Sequence, residues 1–302
     1  MSEITLFSTA DKGMAARRLQ SGKASLEKDL QTLCEHNMEE FFGVHFLASE
    51  WAFSSGRMDS VGIDENCCPV IVEYKRGVNE NVVMQGLFYL DWLMDHQAEF
   101  YQLVVKQRGV QTAEKLDWSA PWVICVANDY TRYDLHAVSQ IRQRIRLVRY
   151  QMFDGLLLLE HLNVAPIKAA APDDTTATDT PVPSKSGKTH RDKVAAASEQ
   201  VKRLYQAVCQ RASELGEDVS VEELKLYAAC RRTRNFACIE LLASSLYVFL
   251  SLDPALAAQD AQLLTDVSGV GHWGTGNLRA TVSSMEDVER LLPYLKQAYD
   301  NA

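Results

Sequence analysis

No run of apolar residues in this chain of 302 is long enough to cross a bilayer. The longest, from Ile239 to Leu252, is broken by Ser244, Ser245 and Ser251. The amino terminus, Met1-Ser2-Glu3-Ile4, has no basic segment followed by an apolar one, so no secretory signal and no membrane attachment is expected. There is no Cys-x-x-Cys pair. The seven cysteines, Cys34, Cys67, Cys68, Cys125, Cys209, Cys230 and Cys238, are odd in number, which argues against a zinc ribbon or a closed disulfide framework and fits a reducing cytoplasm. Nor is there an excess of positive charge. The net charge of −9 argues against a protein that coats nucleic acid through a general basic surface. It leaves room for a local site, because carboxylates intended for a metal add negative charge where the metal sits. What is present, 47% hydrophobic residues, is enough to build the cores of two ordinary domains.

The most informative stretch runs from Gly56 to Arg76 and reads as a hairpin. Arg57 to Ile63 alternates polar and apolar residues, Asp64-Glu65-Asn66 is turn chemistry, and Val70 to Lys75 opens apolar and ends Glu-Tyr-Lys. Pro69 stands at the first position of the second strand, where a missing N–H is tolerated. Side chains alternate along a strand, so Glu73 and Lys75 share a face. A turn centred on Glu65–Asn66 pairs Asp59 with Val72, one residue from Glu73, and a one-residue bulge or a slight register change brings Asp59 onto the same face. Two carboxylates and an ammonium then converge. Adjacent carboxylates repel and favour a divalent cation with a taste for oxygen, Mg²⁺ or Mn²⁺. A lysine beside them can hold a water or a phosphate oxygen. Glu-x-Lys alone is common on exposed strands; the buried character of Val70-Ile71-Val72 and the upstream Asp59 make this one a candidate site.

Around the hairpin the pattern is α/β. A helix opens near Ser25 with an apolar stripe of Leu26, Leu30, Leu33 and Cys34; on pattern alone Glu27 is an ordinary first-turn acid, and Glu35, Glu39 and Glu40 read as solvated. Phe46 to Phe53 reads as a strand. A helix from about Glu80 to Ala98, capped by Asn79, carries a core stripe of Val83, Leu87, Leu90 and Met94 and a second stripe of Gln85, Tyr89, Trp92 and His96. Leu103 to Arg108 is ambiguous between states. Trp122 to Ala127 is a buried strand, a short helix follows near Tyr133 to Ser139, and Ile145–Met152 pairs with Leu156–Leu162 about Phe153-Asp154-Gly155. Arg142, Arg144, Arg146 and Arg149 cluster here, either as phosphate contacts or as a solvated strand edge. Residues 165–193 are rich in Ala, Pro, Thr and Asp and read as a flexible linker.

Beyond the linker, a helix is expected over Ser198 to Leu215 and a capping box at Ser220-Val-Glu-Glu223. Strands are expected at Phe236–Leu242, Leu246–Leu252 and Leu278–Val282, and a terminal helix from Ser284 carrying Val288, Leu291, Leu292, Leu295 and Tyr299. Gly269-Val270-Gly271-His272-Trp273-Gly274 matches G-x-G-x-x-G in letters only. It follows polar residues and precedes a strand, whereas a dinucleotide loop follows a strand and opens a helix, so a glycine-rich loop is expected.

In order, Leu26-Glu27-Lys28-Asp29-Leu30, Gly56-Arg57-Met58-Asp59, Val70-Ile71-Val72-Glu73-Tyr74-Lys75-Arg76-Gly77 and Gln85-Gly86-Leu87-Phe88-Tyr89-Leu90 resemble the PD-(D/E)XK nuclease superfamily, its NucS/RecB-like branch. Met58 stands where the superfamily name has Pro, at a variable position. The stretch from Phe236 to Tyr299 resembles an uncharacterised domain attached to such nucleases, and is similar to small α+β domains of the YjbR type.

The resemblance implies a restriction-endonuclease-like α/β domain over 1–164, a mixed sheet flanked by helices, with 194–302 as a second, smaller α+β domain. It implies Mg²⁺- or Mn²⁺-dependent hydrolysis of DNA phosphodiesters, in repair or defence. Asp59, Glu73 and Glu27 would serve the metal with the Tyr74 carbonyl, Lys75 would orient the attacking water, and Gln85 would position the site. Arg57, Arg76 and Tyr89 are the candidate DNA contacts. Duplex cutting calls for two sites, so a homodimer is one expectation; a protein partner on the second domain is another. The alternative is a nuclease-fold nucleic-acid-binding or adaptor protein that does not cleave.

Overall fold

The computed structural model describes residues 4–8, 17–22, 27–77, 81–141, 144–162 and 189–302. Ser25, Leu26, Asn79, Arg142 and most of the expected linker lie outside them. The chain divides into two compact units. One comprises residues up to Ile63, Pro69–Glu114 and the segment from Pro121 into the expected linker; the other gathers Asp64–Cys68, Lys115–Ala120 and the carboxyl-terminal part.

In the first unit α1 (Glu27–His36) and α2 (Met38–Phe42) precede an antiparallel series, β1 (Val44–Phe53), β2 (Gly56–Asp64) and β3 (Pro69–Lys75). Then come α3 (Val82–Asp95), α4 (Gln97–Arg108), β4 (Trp122–Ala127), α5 (Arg132–Gln140), β5 (Arg144–Phe153) and β6 (Leu156–Leu162). Together with the two-residue strand Ser21–Gly22 they form a seven-stranded mixed sheet in which β5, β4, β3, β2 and β1 are successive neighbours and β6 pairs with β5. β3 runs parallel to β4, and β4 to β5, so Lys75, Ala127 and Arg149 stand in one row. Every residue of β4 is buried, as is β3 as far as Tyr74, as expected of parallel strands covered on both faces.

Several expectations change. One long helix from Glu80 becomes two: α3 ends at Asp95, His96 leaves helical angles at φ −121°, and the ambiguous Leu103–Arg108 is the second half of α4. The core stripe of α3 is Val82, Val83, Gly86, Tyr89, Leu90 and Leu93, whereas Met94 is exposed. The solvated-edge reading of the arginines does not hold for the described ones. β5 lies inside the sheet, with Arg144 and Arg146 lying 5.1 and 4.7 Å over the Trp122 ring and Arg149 paired to Asp129 and Glu160.

The second unit is a six-stranded antiparallel sheet with helices on one face. Its elements are α6 (His190–Ala196), α7 (Glu199–Ser213), β7 (Ser220–Glu223), β8 (Ala228–Arg231), β9 (Asn235–Leu241), β10 (Leu246–Leu250), β11 (Leu264–Asp266), β12 (Leu278–Val282) and α8 (Met285–Asp300). The end of the expected linker, residues 190–193, is the start of α6. Ser220–Glu223 is a strand, not a helix start, because Ala228–Arg231 pairs with it residue for residue. Ser284 does close a capping box on α8. The G-x-G-x-x-G segment is a loop, in which Gly274 at φ +84° lies against Cys238. The unit also contains a fully buried ion pair, Arg231 to Asp64 at 2.8 Å.

Gly62 explains a glycine inside a strand. A Cβ there would stand 2.5 Å from the His45 carbonyl oxygen, so β1 and β2 approach more closely than any side chain allows. Gly62→Ala is expected to lower stability by about 1–3 kcal/mol, measured as a shift in the urea midpoint with unchanged slope.

Candidate active site on the β2–β3 hairpin

The hairpin turn sets the site. It is centred on Asn66, half a residue beyond the expected centre: Asp64 N–H donates to the Cys68 carbonyl, and Cys67 takes a left-handed conformation at φ 60°. The Asp64 carboxylate accepts the N–H groups of Asn66 and Cys68, each at 2.9 Å, closing a three-residue loop with a left-handed last position. The resulting register is Ser60 with Val72 and Ile63 with Pro69, so Asp59 falls beside Glu73 without a bulge. This corrects the expected pairing of Asp59 with Val72.

Each carboxylate is held by the other strand's backbone. Asp59 N–H donates to Glu73 Oε1 at 3.1 Å, and Tyr74 N–H donates to Asp59 Oδ2 at 3.0 Å. Glu73 is fully buried and its Oε2 has no hydrogen-bond partner. Burial pushes the Glu73 carboxyl up to about 9, with the Asp59 charge adding to the effect. Asp59 is pushed up too, burial outweighing the Tyr74 N–H and the Lys75 charge that pull it down. A buried oxygen with no donor, on a carboxylate beside a second carboxylate, suits a hard divalent cation, and the Tyr74 main chain lies alongside. Among the described residues, however, no three His, Cys, Asp or Glu side chains are grouped to hold a metal ion.

Glu27 stands near enough for its charge to help raise Asp59. It reaches the end of β3 from the first turn of α1, and its Oε1 lies 3.5 Å from Lys75 Nζ and its Oε2 accepts the Arg76 N–H at 3.2 Å. It pairs with the lysine and caps the end of the strand. Lys75 is 15% exposed and so reaches the surface beside the carboxylates. Gln85 Nε2 donates to Tyr89 OH at 2.9 Å, and Tyr89 is buried; the exposed ring one residue away is Phe88. Phe53, Phe88, Tyr89 and Trp92 form a contiguous aromatic cluster, and the Trp92 ring stacks on His96 at 4.1 Å. Arg57 points outward and pairs with Glu50 at 2.5 Å; Arg76 is exposed.

Two residues were not read as part of the site. Gln31, in the buried stripe of α1, donates from Nε2 to the Asp59 carbonyl at 2.7 Å and to Glu35 Oε1 at 2.8 Å. Glu35 is not solvated as expected, because it also accepts the Ser60 hydroxyl at 2.6 Å. The only signal in the sequence was a glutamine standing next to Leu30 in an otherwise apolar stripe.

The carboxyl-terminal residues 191–302 match the family model Domain of unknown function (DUF5655). A protein of Haemophilus influenzae, described as uncharacterized, is 29% identical over 298 residues, covering 96% of this chain and 98% of its own. Among solved structures, a repair endonuclease from Pyrococcus abyssi is 18% identical, with 42% of this chain and 49% of that one covered at a TM-score of 0.28. The EndoMS-dsDNA2 complex is 20% identical, with 44% and 50% covered at a TM-score of 0.26. The chain thus spans about half the length of these two solved proteins.

The buried pair makes a prediction for the metal-free protein. The folded Glu73 keeps its proton up to about pH 9, whereas an unfolded Glu releases it near the ordinary value of 4.5. The folded state therefore binds the extra proton between those limits, and stability falls as pH rises through them. Glu73→Gln keeps an acceptor for the Asp59 N–H and cannot ionise. In EDTA it is expected to melt higher than wild type at pH 8 by about 0.5–2 kcal/mol, with the gap closing toward pH 5.

Proposed function

We propose that the first unit is a divalent-metal-dependent deoxyribonuclease whose centre is the Asp59–Glu73–Lys75 hairpin. The observation that carries this reading is the register that sets Asp59 beside Glu73, with a buried Glu73 oxygen left without a donor. A structural role alone has no use for two carboxylates that destabilise each other. The ordered resemblance to the PD-(D/E)XK pattern from Glu27 to Tyr89 supports the same reading.

Bound Mg²⁺ or Mn²⁺ would supply an acidified water and positive charge for the scissile phosphate, held by Asp59, Glu73 and the Tyr74 carbonyl. The chain's own groups do the rest. Lys75 offers its ammonium to the attacking water or a non-bridging phosphate oxygen, where negative charge grows in the transition state. Glu27 aims that ammonium by pairing with it from α1. Gln85, tied to Tyr89, would help position the site or the strand. Arg57 and Arg76, both exposed, would contact backbone phosphates.

A second reading, a nuclease-fold binding or adaptor protein, has one observation in its favour: Glu27 is engaged by Lys75 and the Arg76 N–H. The two readings part in a cleavage assay on labelled single-stranded, duplex, branched and mismatched DNA with Mg²⁺, Mn²⁺ or EDTA. Wild type is expected to cut only with metal, and Asp59→Asn, Glu73→Ala and Lys75→Ala each to lose about 10²-fold or more. Metal-independent DNA binding with no cutting of any substrate would establish the adaptor instead.

A further inference from the structure

The inference rests on the nuclease reading and names a residue that makes its site work. Gln31 is 3% exposed, on α1 one turn after Glu27. A side-chain amide that deep must have its hydrogen bonds met, and here each end is engaged. Nε2 faces the Asp59 carbonyl at 2.7 Å, Glu35 Oε1 at 2.8 Å and Ser49 Oγ at 3.2 Å, while Oε1 accepts from Lys28 Nζ at 3.3 Å. Glu35 in turn accepts from Ser60, the residue after Asp59. Residue 59 is therefore fixed on every side: its carbonyl by Gln31, its N–H by Glu73, its carboxylate by the Tyr74 N–H, and its successor by Glu35.

The same helix grips the other strand. Glu27 engages Lys75 and Arg76 at the end of β3, and Gln31, on the next turn, engages β2 at Asp59. One rigid element thus holds both strands at the level where their reactive side chains meet. The bond from Gln31 is to the main chain, so it occupies neither Asp59 carboxylate oxygen, one of which already accepts the Tyr74 N–H, while fixing the backbone that carries them.

We propose that Gln31 is a positioning residue, which with Glu35 as its anchor locks the Asp59 main chain and thereby sets the metal-binding geometry of the Asp59–Glu73 pair. Outer partners of this kind govern metal affinity as well as rate, because a ligand free to swing must be ordered on each binding event.

The test uses the full chain carrying Gln31→Met, of similar length but with no donor, and Ser60→Ala, a smaller change that frees Glu35. Folding is checked by circular dichroism, Mn²⁺ binding by titration calorimetry below the melting temperature, and cleavage by kcat and KM. Gln31→Met is expected to bind Mn²⁺ about 10–100-fold more weakly, with kcat falling and KM for DNA unchanged, and Ser60→Ala to move Mn²⁺ affinity in the same direction by less. Variants that melt lower yet bind Mn²⁺ as wild type would make Gln31 merely structural and overturn the proposal. Wild type that neither binds Mn²⁺ nor cuts would overturn the nuclease reading itself, and this inference with it.

Discussion

Two carboxylates facing each other across a β-ladder repel unless a proton or a cation lies between them, and the first unit is built to keep Asp59 and Glu73 in that position. The cost is borne by groups whose own preferences are met. Backbone N–H groups bond each carboxylate from the opposite strand, a lysine stands beside them, and the parallel strand β4 buries Glu73 from the other side. Remove the register and these contacts have no purpose; keep it and the pair becomes a site with an appetite for positive charge. The fold supplies rigidity, and the buried charge supplies the reason for rigidity.

The parts of the fold that were legible in the sequence are those where local pattern and tertiary context agree. Trp122–Ala127 was recognisable as a strand because parallel strands buried on both faces read as unbroken apolar runs. The hairpin at Phe153-Asp154-Gly155 was recognisable because Asp154 and Gly155 accept left-handed angles readily. The failures have physical causes too. Cys67 adopts a left-handed conformation that its residue type does not announce, and that shifts the β2–β3 register. Ser220-Val-Glu-Glu223 is a good helix start overridden by the pairing of β7 with β8. The break at His96 carries neither proline nor glycine.

The site shows the same division. Asp59, Glu73 and Lys75 were legible because their chemistry is unusual on a strand that enters the core. The contacts of Glu27 with Lys75 and the Arg76 N–H were not, since they are decided by where the helix is placed and not by its sequence. Gln31 was signalled only by its place beside an apolar stripe, and Glu35 is an unremarkable helical residue until the fold brings Ser60 to it.

The parallel arrangement of β3, β4 and β5 has a consequence for how such a molecule can change over time. Lys75, Ala127 and Arg149 sit level, so the segments that leave β3 and β4 emerge at the same rim as the reactive groups. Interior strands hold the carboxylate pair, while the connecting segments at that rim vary more readily, except where a residue such as Tyr130 is itself buried and bonded to the Cys125 and Val148 carbonyls. The rim and the hairpin beneath it are thereby separable, open to independent adjustment on one scaffold.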